Sequence, residues 1–155
     1  MSKRSKPIKG QKRPKKIVFY LDRNLCAEEI LQPLRNAGYK LIAYTDEFGR
    51  VFNQRVSDPD IIKLCGKRKH ILITGDSRLE YTYAAEIFSA KVGVVLLSTN
   101  NGGAESWKRR LIAAQPAIRE QIYKRKKPYL IRVGLDGTLT TIRLYTKRGS
   151  KSLFL

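Results

Sequence analysis

Acidic side chains recur in this sequence just after apolar segments, where strands are predicted to end. Four of them stand at such positions or begin the next helix: Asp22, Asp46, Asp58 and Asp76. Carboxylates that gather at one place repel one another, and they persist where a cation lies among them. Oxygen ligands without histidine or cysteine suit Mg²⁺ or Mn²⁺, ions that activate water and hold the oxygens of an in-line displacement at phosphorus. These residue types predict a metal centre for phosphodiester hydrolysis.

Each of these acids also has a simpler interpretation that the sequence leaves open. Asp58 belongs to the segment S-D-P-D and could only cap its helix. Asp46 fits a turn within a polar loop. Asp22 begins a sharp turn and could only cap the helix that follows it, and Asp76 could begin an ordinary strand-to-helix turn.

The order of the predicted elements determines where the acids meet. Apolar, β-branched runs predict strands at 17–21, 40–44, 70–74 and 92–97. Amphipathic spacing predicts helices at 26–37, 57–65, 79–90 and 104–123, the last interrupted at Pro116, with a polar loop at 45–56. Segments 129–134 and 139–145 alternate around Asp136-Gly137, which predicts a terminal hairpin.

Strands that alternate with helices predict an α/β fold. We expect a three-layer sandwich with a central, mostly parallel sheet, plus a C-terminal β-hairpin. In such sheets ligands bind beyond the carboxyl ends of the strands, which is where the acids follow their strands.

The composition indicates an acidic macromolecule as partner. The 155 residues include 32 Lys and Arg against 13 Asp and Glu, a formal net charge of +19 and a pI near 10.2. Nucleic acid is the partner that this balance favours. A basic body with acids at its centre is the charge distribution expected of a nuclease.

Composition also excludes several classes of protein. No apolar run approaches the roughly 18 to 20 residues that a membrane span needs, so we expect no membrane partner. A hydrophobic content of 42% is too high for a wholly disordered protein. Two cysteines and one histidine are too few for a structural zinc site or a disulfide scaffold. Buried thiols in a reducing compartment, without a signal peptide, predict a cytoplasmic protein.

We divide the chain into three parts. Residues 1–16 hold eight Lys and Arg, two prolines and no acid, and such a segment cannot bury enough surface to offset the entropy of ordering it. We expect a disordered basic arm there, which attaches to phosphates or serves as a solubilising or targeting tail. Residues 17–146 form the folded domain, and 147–155 form a short tail.

Several short motifs, taken together, resemble one protein family. They are 19–25 (FYLDRNL), 34–38 (LRNAG), 46–48 (DEF), 57–61 (SDPDI), 72–76 (LITGD) and 127–133 (KPYLIRV) with the D-G turn. Their order and spacing over residues 17–145 resemble the PIN-like domain family, in particular the branch related to VapC-type toxin ribonucleases. Each motif alone is short, and the specificity comes from their conjunction.

The resemblance implies a PIN-type α/β sandwich that cleaves RNA with Mg²⁺ or Mn²⁺. The residues that it implies to be catalytic and to hold the metal are Asp22, Asp58 and Asp76, with Asp46 as a further ligand. Many PIN nucleases carry a fourth acid after the third-strand aspartate. Here Ser77 and Arg78 follow it, and Glu80 is the nearest acid.

Clusters of basic residues predict a track for the nucleic-acid backbone. We expect contacts from Arg78, Lys108, Arg109, Arg110, Lys124 and Arg125. A solvated helix face is the simpler explanation for any one cluster.

The sequence therefore predicts a metal-dependent endoribonuclease that hydrolyses RNA phosphodiesters as the toxin of a toxin–antitoxin pair. An antitoxin protein and a second copy of the chain are expected partners through the same resemblance. Two alternatives stay open: a catalytically silent, basic nucleic-acid-binding protein, and a PIN-like nuclease directed at DNA.

Overall fold

Six strands form one sheet in the computed structural model, which describes residues 16–48, 56–97 and 103–142. The strands are β1 (Phe19–Leu21), β2 (Leu41–Ala43), β3 (Ile71–Thr74), β4 (Gly93–Leu97), β5 (Tyr129–Val133) and β6 (Leu139–Ile142). Their order across the sheet is β2-β1-β3-β4-β5-β6. The first five are parallel, and β6 runs antiparallel to β5. The predicted α/β fold with a C-terminal hairpin is confirmed.

Helices flank the sheet and give it three layers. They are α1 (Glu28–Asn36), α2 (Tyr44–Phe48), α3 (Asp58–Arg68), α4 (Arg78–Tyr81), α5 (Ala84–Ala90) and α6 (Gly103–Lys124), and a short 3-10 helix spans Arg23–Leu25. Helix α1 packs against α6, and α3 packs against α5. No helix in the described ranges is long and apolar enough to cross a membrane.

The core lies where the apolar strands meet the apolar helix faces. Every residue of β3 and β4 is buried, as expected for strands covered on both sides. Helix α1 buries Ile30, Leu31 and Leu34, the three positions that its spacing predicts. The rings of Phe19 and Tyr39 meet edge to face, with centroids 5.1 Å apart.

Several predicted boundaries are wrong for identifiable reasons. Residues 44–48 form α2 rather than a loop, because the rings of Tyr44 and Phe48 stack one helical turn apart with centroids separated by 5.0 Å. The helix predicted at 79–90 breaks at Tyr83, which packs on the core with φ −112° and ψ 18°.

Helix α6 continues through Pro116 instead of being interrupted there. A proline within a helix removes one hydrogen bond and costs about 3 kcal/mol. Burial of Leu111, Ala114 and Ile118 on both sides of the proline offsets this cost. The hairpin turn is as predicted: Gly137 adopts φ +83°, and Gly134 N donates to Thr138 O at 2.9 Å. The basic arm lies outside the described residues except for Lys16, and residues 147–155 lie wholly outside them.

Candidate active site at the carboxyl edge of the sheet

The chain reverses its direction across the sheet at β1 and β3. From β1 the chain moves to β2 on one side, and it then returns to β3 on the other side. Ligands in open α/β sheets bind at the carboxyl ends of the two strands that flank such a reversal. We call the region where β1 to β5 end the carboxyl edge. Asp22 follows β1 there, and Thr74 ends β3.

Asp22 is held in place by two hydrogen bonds to its carboxylate. Its Oδ1 accepts from the backbone N of Arg23 at 2.7 Å, and its Oδ2 accepts from Thr74 Oγ1 at 2.7 Å. The first bond caps the 3-10 helix, as the capping interpretation of Asp22 predicts. The second bond crosses from β1 to β3, which a cap alone does not require.

The charge on Asp22 is unfavourable in this environment. Burial raises the pKa of the Asp22 carboxyl above its usual range, and the negative charge of Asp58 raises it further. Hydrogen bonds from Thr74 and from the Arg23 backbone act in the opposite direction. A half-buried carboxylate beside a second acid is the arrangement that a bound cation would relieve.

Thr74 joins two of the predicted site residues. It is fully buried, its hydroxyl donates to Asp22, and the same oxygen accepts from the backbone N of Asp76 at 3.1 Å. The Thr74 hydroxyl thus connects the carboxylate of Asp22 with the backbone of Asp76. Thr74 is the threonine two residues before Asp76 in the quoted segment LITGD, but the sequence interpretation assigned a role only to the aspartate.

Asp58 approaches this pair from the start of α3. It occupies the first turn of the helix and is half-buried, and it acts electrostatically on Asp22. The cap of α3 is Ser57, whose Oγ accepts from the backbone N of Asp60 at 3.3 Å. The alternative in which Asp58 only caps its helix is therefore wrong. Asp60 itself is exposed.

Asp46 lies in a different environment. Its Oδ2 accepts from Arg35 Nη2 at 3.2 Å and from the backbone N of Ala43 at 3.3 Å, and its side chain is 55% exposed. Within the part of the chain that the structure describes, these contacts tie Asp46 to α1 and β2 rather than to Asp22. Asp46 thus lies in the first turn of α2, whereas the sequence interpretation placed it in a turn within a loop.

Glu80 does not supply a free fourth carboxylate. Its Oε2 accepts from Arg132 Nη2 of β5, and the Glu80 side chain is only 14% exposed. An arginine neutralises the acid nearest to Asp76 in sequence.

The described acids at the carboxyl edge offer few ligands for a metal ion. Among residues 16–48, 56–97 and 103–142, no three acidic, histidine or cysteine side chains lie close enough together to hold a metal ion. Mg²⁺, however, usually keeps several waters and takes only one or two carboxylates from the protein. Asp22 and Asp58, whose charges interact, are the two carboxylates that could serve such an ion, and hard oxygen donors match Mg²⁺ and Mn²⁺.

The predicted nucleic-acid contacts separate into two groups along α6. Lys108 pairs with Glu105 at 2.7 Å, and Arg109 is exposed. Arg110 is only 2% exposed and its Nε donates to Ser106 Oγ at 3.0 Å, because it faces the core side of the helix. This burial removes Arg110 from the predicted RNA-contacting set.

Two further predicted contacts lie at the C-terminal end of α6. Lys124, in the last turn of α6, pairs with Glu120 at 2.7 Å, and Arg125 Nε donates to Gln121 Oε1 at 2.8 Å. The side chain of Arg78 lies outside what the structure describes.

No protein-family model matches the chain, and no curated protein or solved structure matches it significantly.

Proposed function

We propose that the protein is a divalent-metal-dependent endoribonuclease of the PIN-like kind. The observation that carries the proposal is the arrangement at the carboxyl edge. There the Thr74 hydroxyl links the Asp22 carboxylate to the backbone of Asp76, while the charge of Asp58 acts on Asp22. The site stands at the chain reversal between β1 and β3, in a protein with a formal net charge of +19.

Asp22 and Asp58 would hold the ion, and Asp76 would complete the oxygen-lined site. A bound Mg²⁺ or Mn²⁺ supplies charge neutralisation at the phosphate and lowers the pKa of a bound water. Thr74 keeps one lone-pair direction of Asp22 occupied, so the carboxylate presents a fixed orientation. The raised pKa of Asp22 means that protons compete with the metal, and its affinity therefore increases with pH.

RNA is the proposed substrate, and a toxin in a toxin–antitoxin pair is the proposed biological role. The strongly basic composition supports a polyanionic substrate. The order of the short motifs supports RNA and an antitoxin partner through the resemblance to VapC-related proteins.

The test compares the purified protein with its Asp76→Asn variant on labelled single-stranded RNA and on DNA of the same sequence. Each reaction contains Mg²⁺, Mn²⁺ or a chelator. We expect metal-dependent cleavage of RNA that the chelator and the variant abolish. Equal cleavage by both proteins contradicts the site, and preferential cleavage of DNA contradicts the substrate.

A catalytically silent nucleic-acid-binding protein is the second candidate. Two observations favour it: the described residues contain no group of three close metal ligands, and Arg132 neutralises Glu80. Binding of intact RNA that is sensitive to salt but insensitive to chelator would establish this candidate instead.

A further inference from the structure

A row of lysines lies at the end of the sheet opposite Asp22. One lysine stands one to three residues before each parallel strand, and in spatial order they are Lys40, Lys16, Lys69, Lys91 and Lys127. We call this row the amino edge. Because neighbouring strands lie about 4.8 Å apart, the row extends over roughly 19 Å.

Contacts between these residues show that the row is crowded. Lys127 Nζ donates to the backbone O of Lys69 at 3.4 Å, which brings the segments before β3 and β5 together. The adjacent Lys16 side chain lowers the pKa of Lys40. Like charges so close are unfavourable in the free protein, and a bound polyanion would relieve them.

Two of the lysines also occupy strained backbone positions. Lys69 has φ +61° and Lys91 has φ +52°, and they are the two non-glycine residues with positive φ in the described ranges. They end α3 and α5, at positions where glycine usually stands because it adopts this conformation without strain.

The helix dipole does not account for lysine at the end of α3. A cation in the last turn complements the negative helix end, but α3 already carries Lys67 and Arg68 there. The last turn of α5 holds no basic residue, so Lys91 complements the helix dipole there. Lys69, at the strained end of α3, thus breaks a local preference that the dipole does not explain, which is typical of functional surfaces.

Most of the positive charges in this row are not paired with an acid among the described residues. Arg68 and Lys124, which lie beside it, are paired with Glu47 and Glu120. None of the ion pairs found among the described residues involves the lysines before β1, β2, β3 or β4. Residues 1–15, which precede Lys16 in the sequence, contain seven further Lys and Arg and no acid.

We propose that the amino edge is a binding surface for the phosphate backbone of nucleic acid, separate from the acidic site. The four residues of β3 place it about 13 Å from the carboxyl edge. Binding at this surface needs no metal and depends on charge rather than on base sequence. The surface binds one part of an RNA strand while another part of the same strand contacts the carboxyl edge.

The test measures binding of a fluorescent 20-nucleotide single-stranded RNA to the full chain by anisotropy, in EDTA and over a series of salt concentrations. EDTA separates this proposal from the nuclease, since it removes the metal but leaves the lysines. The variants are Lys69→Gly with Lys91→Gly, and Lys16→Gln with Lys40→Gln. The matched control is Lys63→Gln, an exposed lysine in the middle of α3.

We expect each double variant to weaken binding about tenfold near 0.15 M salt and to reduce the salt slope by about 1.4, at about 0.7 per lost contact. The glycine variant should also melt about 2 °C higher, since glycine relieves the backbone strain. The control should leave affinity and slope unchanged.

Three results would overturn the proposal. If both double variants bind RNA with wild-type affinity, these lysines only end helices and carry surface charge, and they have no part in RNA binding. An equal loss per charge in Lys63→Gln would show that no particular surface is used. Displacement of the RNA by polyglutamate at the same charge concentration would assign the edge to acidic proteins instead.

Discussion

The Thr74 hydroxyl donates a 2.7 Å hydrogen bond to Oδ2 of Asp22, from the end of β3 to the residue that follows β1. The same oxygen accepts from the backbone N of Asp76. The buried Thr74 side chain thus orients the Asp22 carboxylate after β1 and the backbone at Asp76 after β3.

Removal of this hydroxyl should impair the site more than the fold. In Thr74→Val, Asp22 Oδ2 and Asp76 N lose their partner, and we expect a stability loss of about 1–3 kcal/mol. Outer-shell partners of metal ligands typically contribute 10- to 100-fold to activity, so we expect RNA cleavage to fall by about that factor. Thr74→Ser is the matched control and should retain most of the activity. Equal rates for Val and Ser would show that the hydroxyl has no part in catalysis.

Replacement of Asp22 should separate activity from stability. Asp22→Asn removes a metal ligand, and cleavage should fall by about 100-fold or more. Burial and Asp58 raise the pKa of Asp22 in the folded protein, so ionisation opposes folding as the pH rises above the pKa of the unfolded chain. The stability of the variant relative to the wild type should therefore be higher at pH 7.5 than in acid, whatever the change of one carboxylate oxygen to an amide NH2 costs at both pH values.

Urea unfolding at pH 7.5 and at pH 3.5, without metal, measures this difference. The quantity compared is the free energy of unfolding of the variant minus that of the wild type. A smaller difference at pH 7.5 than at pH 3.5 would contradict the raised pKa of Asp22.

His70 offers an assignment-free probe of the amino edge, because it is the only histidine in the chain. Burial lowers the pKa of His70 and the charge of Arg68 lowers it further, while the charge of Glu47 raises it and that of Lys127 lowers it. We expect the imidazole proton resonances to titrate below the ordinary value of about 6.5. Since the unfolded chain takes up this proton first, stability is lost as the pH falls below that value.

Proton NMR of the wild type and of Lys127→Gln measures the midpoint. Lys127→Gln should raise it, because one positive charge is removed. A midpoint at or above 6.5 in the wild type would contradict the described surroundings of His70.

Gly66 fixes the distance between α3 and α5. A Cβ at this position would lie 2.4 Å from the backbone O of Ala90, a contact that cannot be relieved by moving a side chain. We expect Gly66→Ala to destabilise the protein by about 1–3 kcal/mol, as overpacking does. Lys67→Ala, exposed on the same helix, should change stability by less than about 0.5 kcal/mol. Urea midpoints of the two variants decide the matter, and equal midpoints would contradict the close packing.

The fold was largely predictable because its signals are local. Continuous apolar runs mark the strands, and the Asp136-Gly137 pair marks the hairpin turn. The helix at 44–48 was missed because it has only five residues and its one stabilising pair of rings lies within a polar segment. The continuation of α6 through Pro116 was missed because burial, which offsets the lost hydrogen bond, is a tertiary effect.

The candidate site was predictable only in part. Strand ends gave the positions of Asp22 and Asp76, since parallel strands finish at one edge. Sequence could not show that Arg35 holds Asp46, that Arg132 neutralises Glu80 or that Arg110 is buried. Each of these depends on a contact or on burial that one-dimensional spacing does not determine.

If Asp22 and Asp58 jointly hold a divalent ion, titration of the protein with Mn²⁺, followed by electron paramagnetic resonance, should detect it. Asp46→Asn is the matched control, because this carboxylate pairs with Arg35. We expect one Mn²⁺ site in the wild type, retained in Asp46→Asn and weakened at least tenfold in Asp58→Asn. Equal Mn²⁺ affinity in Asp58→Asn and the wild type would show that the two carboxylates do not share an ion.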